Sequence, residues 1–465
     1  MKFLITLLLL TTSSLIFAQN DTIVPQEAQI VTDTITSSET SIETEAETDT
    51  QDETQAEAAP EKLKLSGFLE LDHISYFKQR DDKINSRNQG IFQLIADHKI
   101  NSKFNFHSAV EMRNDQSDSA RNRIFIDEAF IDYSSKDFDI RLGKQLITWG
   151  TADGINPTNN INPIDYSDIL DTDDERIGSI ALQTKYYLGD FTLEADFLPI
   201  YNSSVLPTQN SRWFTDLDPQ IILPDGTPIN ANYTFSETKL PKNDIRSAQF
   251  ALKLSTVFKG WDLSMSYYNG FDDLPSFNKD VTFAGDFSSA AITIKPEIKK
   301  LQVYGFDFSK AAGKFGLRGE AAYFQTEDKK GTIDYIDNPF FWYVVGIDRD
   351  FSNVIGENNL FVLLQWVNIL AAKGDLPPNT NMNAIFQKSV VSKIDLELNS
   401  ISKLSLQATY DFTAKNYYVQ PQYSRQIADG LNLNVFVDCL GGKKNTFFGN
   451  YDKNDRIQVR LKYSF

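Results

Sequence analysis

Cysteine is nearly missing from this chain. Cys439 is the single one in 465 residues, which excludes an intramolecular disulfide framework. Histidine is scarce too. His73, His98 and His107 are the full set, and none has a second ligand at metal-site spacing. No nucleophile elbow, phosphate-binding glycine loop or zinc helix occurs, so nothing marks catalysis and no enzyme is expected. Beyond Phe17 no apolar run is long enough to cross a bilayer as a helix. Residues 19–60 hold no Lys or Arg but eleven Asp or Glu, more than half of the net charge of −18.

At the N-terminus, Met1-Lys2 is a short cationic start and Phe3 to Phe17 is mostly apolar. Ala18 then precedes Gln19. This predicts a secretory signal peptide over 1–18, too short to span a membrane. No Cys follows it, which speaks against a lipid anchor. Residues 19–60 have too little apolar surface to offset chain entropy and predict a disordered, acidic periplasmic leader. It reads as a solvated tether, or as a docking segment for a basic partner.

Residues 61–465 break into segments of strict alternation. In the last, Ile457, Val459, Leu461, Tyr463 and Phe465 alternate with Gln458, Arg460, Lys462 and Ser464. A soluble core would have to bury Arg460 and Lys462 there. A membrane barrel puts one face on lipid and the other on a watery lumen. Leu63, Leu65, Gly67, Leu69 and Leu71 give the first strand the same kind of face, and Leu404, Leu406, Ala408, Tyr410 and Phe412 a later one. Cys439 shares its parity with Leu433, Val435 and Val437 and reads as lipid-facing. Aromatics make up 12%, an excess for which girdles at two lipid interfaces are one reason. Connections alternate between short and long, with a somewhat longer one expected between the strands near 340–350 and 359–368. The predicted fold class is all-β: a transmembrane antiparallel β-barrel of about 16–18 strands with short periplasmic turns and long outer loops.

The candidate site is the lumen. Parity groups Asp139 with Arg141 and Gln145, Arg318 with Glu320, and Arg456 with Arg460 and Lys462. Arg141, Arg318, Glu320, Arg456 and Arg460 are the candidates for selectivity, because charges of both signs lining a pore select by charge and size. Any watery barrel also needs polar lining residues, some paired as salt bridges. His107 falls on the polar parity of its strand and reads as a lumen residue. Between Gly143 and Asp165, two Asn-Pro pairs and two glycines mark tight turns in a long connection. Such a segment is rigid enough to enter the barrel mouth, with Trp149, Gly150, Asp153 and Asn156 shaping a constriction; an ordinary loop on the rim is the plainer alternative. Asp165, Asp168, Asp171, Asp173, Asp174 and Glu175 predict a solvated surface loop, with structural Ca²⁺ as a second option. No other cofactor is expected.

Glu128-Ala-Phe-Ile-Asp-Tyr133, Arg141-Leu-Gly-Lys-Gln145, Trp149-Gly150 and Asn162-Pro-Ile-Asp165 resemble the pattern of an uncharacterised Gram-negative family of porin-like barrels. Leu317-Arg-Gly-Glu-Ala-Ala-Tyr323 and the ending Phe447-Phe-Gly-Asn-Tyr451 to Lys462-Tyr-Ser-Phe465 match it too. The same features are loosely similar to phosphate-selective and alginate-export porins. The resemblance covers about 62–465 and leaves the acidic leader outside. It implies an outer-membrane porin for passive diffusion of small polar or charged solutes. Tyr463 and Phe465 resemble the terminal signal read by the barrel-assembly machinery. The expected partners are outer-membrane lipid, that machinery, small solutes and two further copies in a trimer; no nucleic acid is expected. Alternatives are a barrel for hydrophobic or polymeric cargo, an outer-membrane enzyme, and a surface adhesin using 201–245.

Overall fold

The computed structural model describes residues 62–171, 176–372, 374, 376 and 386–465. The predicted signal peptide and acidic leader lie outside the described residues, as do Asp173, Asp174 and Glu175.

The first seven strands are β1 (Lys64–Tyr76), β2 (Ser86–Lys99), β3 (Phe104–Asp115), β4 (Arg123–Ser134), β5 (Phe138–Gln145), β6 (Ser179–Leu188) and β7 (Phe191–Leu198). Then come β8 (Gln220–Ile222), β9 (Pro228–Phe235), β10 (Gln249–Phe258), β11 (Trp261–Phe271), β12 (Ser276–Phe283) and β13 (Ser289–Glu297). The chain continues with β14 (Lys300–Ala312), β15 (Phe315–Thr326), β16 (Phe340–Ile355), β17 (Asn358–Ala371) and β18 (Ser389–Asn399). It ends with β19 (Ser402–Asp411), β20 (Asn416–Ala428), β21 (Leu431–Gly441) and β22 (Arg456–Ser464).

All but β8, β9, β12 and β13 form one sheet of 18 strands, each antiparallel to its neighbour in the chain. β22 returns to pair with β1, from Phe68↔Ser464 to Tyr76↔Arg456. Gly67 and Phe465 exchange both backbone hydrogen bonds at 3.1 and 3.0 Å, so the final residue seals the seam. The sheet has no edge, as hydrocarbon demands, because an unpaired peptide group finds no water there.

Alternation decides what each face meets. On β22, Arg456, Gln458, Arg460 and Lys462 are buried inside, while Ile457, Val459 and Leu461 look outward. Outward apolar side chains are bare: Ile124 is 71% exposed and Met265 65%. A soluble protein rarely shows so continuous an apolar belt; lipid covers it. Tyr267, Tyr304, Tyr323 and Phe341 stand in direct register on neighbouring strands as an aromatic row, with ring centroids 4.8–6.2 Å apart. Nearer the other rim, Lys310 lies over Trp261 and Arg349 over Phe315 and Phe351. Aromatic side chains thus gather toward both rims, the levels at which girdles meet the lipid interfaces.

A bulge in β4 resets parity. The register jumps between Ala109↔Glu128 and Val110↔Ile126, leaving Asp127 extra. Ile124 and Ile126 are exposed before it and Ile131 after it. The bulge thereby swings Glu128, Phe130 and Asp132 inward.

One rim carries 100–103, 135–137, 189–190, 259–260, 313–314, 356–357, 400–401 and 429–430, with both barrel termini. The connection expected to be longer, after residue 350, is one of these short turns. β16 continues through an irregularity between Phe351 and Ile355, and Gly356, at φ 65°, turns the chain into β17. The long connections gather at the opposite rim. Two of them are not plain loops: 199–248 and 272–299 supply β8, β9, β12 and β13, a separate sheet in the order β12-β13-β9-β8. Its β9–β13 pairing is parallel, and Ile229, Ala290 and Ile292 form its core.

Candidate functional site

Residues 146–171, between β5 and β6, turn into the barrel. Asn162 closes the neck of this segment. Its fully buried side chain accepts from the Ile147 N–H at 2.6 Å and donates to the Gln145 and Ile177 carbonyls at 3.1 and 3.0 Å. One short side chain thus satisfies three backbone groups just beyond the β5–β6 ladder. Asn159 accepts from the Trp149 N–H at 3.4 Å. In the second Asn-Pro pair Asn162 is thus itself the staple, and in the first the Asn156 carbonyl accepts from the Asn159 N–H at 3.1 Å.

The first half packs on apolar wall. Ile147, Trp149 and Ile161 share a core with Leu198, Tyr268, Leu301, Val303, Phe324, Phe340 and Ile369, all on barrel strands. The Trp149 indole N–H donates to Glu194 on β7 at 2.7 Å. Ala152 and Ile155 pack against Val344 and Val367.

Glu320, inward on β15, holds the tip. Its Oε1 accepts from the Thr151 and Ala152 N–H groups, both at 2.7 Å. Its Oε2 accepts from the Thr158 N–H at 3.2 Å and the Thr158 hydroxyl at 2.8 Å. Gly150 is needed beside it. Its φ is +95°, and a Cβ there would sit 2.4 Å from Glu320 Oε1. Asp153 meets Arg318 at 3.0 Å, and Arg318 also reaches Asp348 at 3.3 Å. Asn156 lies on the outer face of the loop beside a cavity of about 250 Å³.

The second half is held by charge. Asp168 accepts from Arg456 at 2.6 Å and pairs with Arg87 at 2.9 Å. Asp165 pairs with Arg123 at 3.0 Å, and Asp171 approaches Arg121 and Arg460, each at 3.5 Å. The wall side is balanced as well: Arg456 with Asp438 at 2.6 Å, Arg460 with Glu70 at 3.0 Å, Arg87 with Asp115 at 3.4 Å. Burial pushes the Asp168 carboxyl up, but Arg456, Arg87 and Arg121 outweigh it and hold it below the usual carboxylate range. Asp165 is lowered in the same way, with Arg121 and Arg123 overcoming burial. The expected solvated acidic loop is thus corrected at Asp165 and Asp168. Both are buried, because the segment enters the lumen rather than lying on the rim. Among the described residues, no group of three or more His, Cys, Asp or Glu is placed to hold a metal.

Arg318, Glu320, Arg456 and Arg460 therefore converge on one inserted segment. Arg141 does not. It grips Asp132 at 2.6 and 3.0 Å near the short-turn rim and lies 3.8 Å over Phe130. His107 stacks on the same ring and bonds Asp97 at 2.7 Å, facing inward as its parity implied. Water reaches this half of the barrel: Lys393 and Lys403 flank Asp395 with side chains 40% and 42% exposed. A cavity of about 640 Å³ opens at that rim beside Glu397, Lys403, Arg425 and Asn432. Tyr463 and Phe465 point outward on the seam, and Phe465 stacks on Phe92 at 6.3 Å. Sequence reasoning missed Asn162, Glu194, Arg87, Asp115 and Asp438. The inward parity of the strand residues was readable; their partners were not.

A closed barrel with an apolar belt and a loop packed inside it defines a membrane β-barrel with an occupied lumen. Residues 30–341 match the model of a family described as "Protein of unknown function (DUF1302)", and the chain belongs to that family. The match begins within the segment read above as an acidic leader. No curated protein matches the chain. Among solved structures, the chain is similar to the loop L8 deletion mutant of OmpT, an outer membrane protein of Vibrio cholerae. Identity is 10% over 88% of this chain and 100% of that one, with a TM-score of 0.39. It is also similar to OmpF of Salmonella typhi in complex with daunomycin, at 11% identity over 87% and 97%, with a TM-score of 0.41. The barrel described above rests on its own strand pairings.

Proposed function

We propose that this protein is an outer-membrane channel for passive diffusion of small polar or charged solutes, narrowed by the inserted segment 146–171. The short-turn rim then faces the periplasm, as do the leader and both barrel termini. The observation that carries this is the anchoring of the tip on Glu320, an inward wall residue 162 positions or more from the backbone groups it holds. A loop tied that way is a fixed part of the lumen. Half-buried charges of both signs, Asp153 and Arg318 at its tip and Lys393 and Lys403 below it, favour hydrated solutes.

A second reading has its own support. The wall above the tip is apolar, with Leu301, Phe324, Phe340 and Trp342 facing in. That suits cargo with an apolar body. Planar-bilayer recording separates the two. Discrete ohmic steps from pure protein support the first; silence in salt, with uptake of apolar cargo into vesicles, supports the second. Trimer formation is a separate expectation, read by cross-linking in membranes.

A further inference from the structure

The cavity of about 250 Å³ lies between the outer face of the inserted loop and the long-loop rim of β11–β16. It approaches the range of about 300–1,000 Å³ of small-molecule sites. One side is aromatic: Phe271, Phe324, Phe340, Trp342 and Phe386. Phe324 and Phe340 stack at 4.5 Å, so that wall is stiff. The other side carries Asp165, Asp168, Asp171, Asp272 and Asp273, with Arg176 as the one cation among the described lining residues.

These carboxylates are not alike. Asp165, Asp168 and Asp171 are engaged by arginines of the barrel wall, as described above. Asp272 and Asp273 follow β11 in the rim. Asp272 accepts from the Leu274 N–H at 3.1 Å and from the Asp273 N–H, and Asp337 acts on it as a second negative charge. Arg176 acts on Asp273 and also donates to the Asn162 carbonyl at 3.0 Å. The guanidinium acts on Asp273, whereas the charge that acts on Asp272 is the Asp337 carboxylate, so the site is short of positive charge. Aromatic faces attract a cation as well.

We propose that this cavity binds an organic monocation, an amine or quaternary ammonium on an apolar body. The body lies against Phe324, Phe340 and Trp342, and the cationic head sits at Asp272 and Asp273. Burial pushes both carboxyls up to about 7; Asp337 adds to the rise at Asp272 and Asp272 to that at Asp273, while Arg176 pulls Asp273 back. A bound cation favours the ionised forms, so affinity rises as pH climbs through that value. The site deepens the second reading above, but binding does not require flux.

The test is calorimetry on the full barrel in detergent micelles, with empty micelles subtracted. The probes are 2-phenylethylamine, 2-phenylethanol and phenylacetate, which share a ring and differ in charge. The amine should bind best, about tenfold above the alcohol, with the acid weakest. Asp272→Asn/Asp273→Asn should remove the amine's advantage and leave the alcohol unchanged. Trp342→Ala should weaken both. Each variant is accepted only if it keeps the heat-modifiable migration of a folded barrel. Equal binding of all three probes, no binding, or preference for the acid through Arg176 would each overturn the proposal. A conductance result of either kind leaves it standing.

Discussion

Removing the Glu320 carboxylate should loosen the inserted loop without opening the barrel. Four hydrogen bonds end on this group. A bond to a charged partner contributes about 1.5–3 kcal/mol, and a buried donor left alone costs about 1–3 kcal/mol. In Glu320→Ala the N–H groups of Thr151, Ala152 and Thr158 must stay buried and unpaired or leave for water. The second course costs less, so the tip lifts. If half the nominal value survives non-additivity, the anchor is worth roughly 3–6 kcal/mol, more than a hundredfold in the tip equilibrium. The β15 ladder is backbone pairing and persists. Single-channel recording should show larger conductance and added open-state noise, with heat-modifiable migration unchanged. Glu320→Gln should fall between, since its amide oxygen keeps two of the bonds while its NH₂ opposes the donors of Thr158. Wild-type conductance and noise in Glu320→Ala would refute the claim that this carboxylate holds the constriction.

Asp168→Asn strands charge on Arg456 and Arg87, and breaking buried pairs costs about 3–5 kcal/mol. The urea midpoint should fall, and adding Arg456→Gln should cost less than the sum of the two. Asp165 and Asp168 are held low, so their stabilisation is present above the ordinary carboxylate value and lost as pH falls through the lower folded one. Open-state noise should stay low from pH 7 down to about 4 and grow below it. Arg318→Glu should shift ion selectivity toward cations. Arg460→Glu should impair folding instead, because it sets a carboxylate beside Glu70, so a pure selectivity change there would contradict its burial. Deleting Phe465 removes both bonds to Gly67 and should slow barrel assembly, followed as the unfolded fraction on unheated gels.

The sequence by itself determined the barrel. Period-two alternation from residue 63 to 465 states which side chains meet lipid, and turn spacing states which rim carries the long loops. The inward parity of Arg318, Glu320, Arg456 and Arg460 was legible for the same reason. It also announced a tight, proline-punctuated segment after β5. Only the tertiary structure decided what those residues do. Asp165 and Asp168 have the composition of a solvated loop, and nothing local says that the segment turns inward. The bond from Arg456 to Asp168 joins residues 288 apart, and that from Thr158 to Glu320 joins residues 162 apart. β8, β9, β12 and β13 are similar: β12 alternates Phe277, Lys279 and Val281 with polar residues, but its sheet needs a strand from another loop. Alternation reports the face a residue occupies because that depends on its own strand alone. Partners across a lumen depend on closure, which brings together residues that share no local pattern.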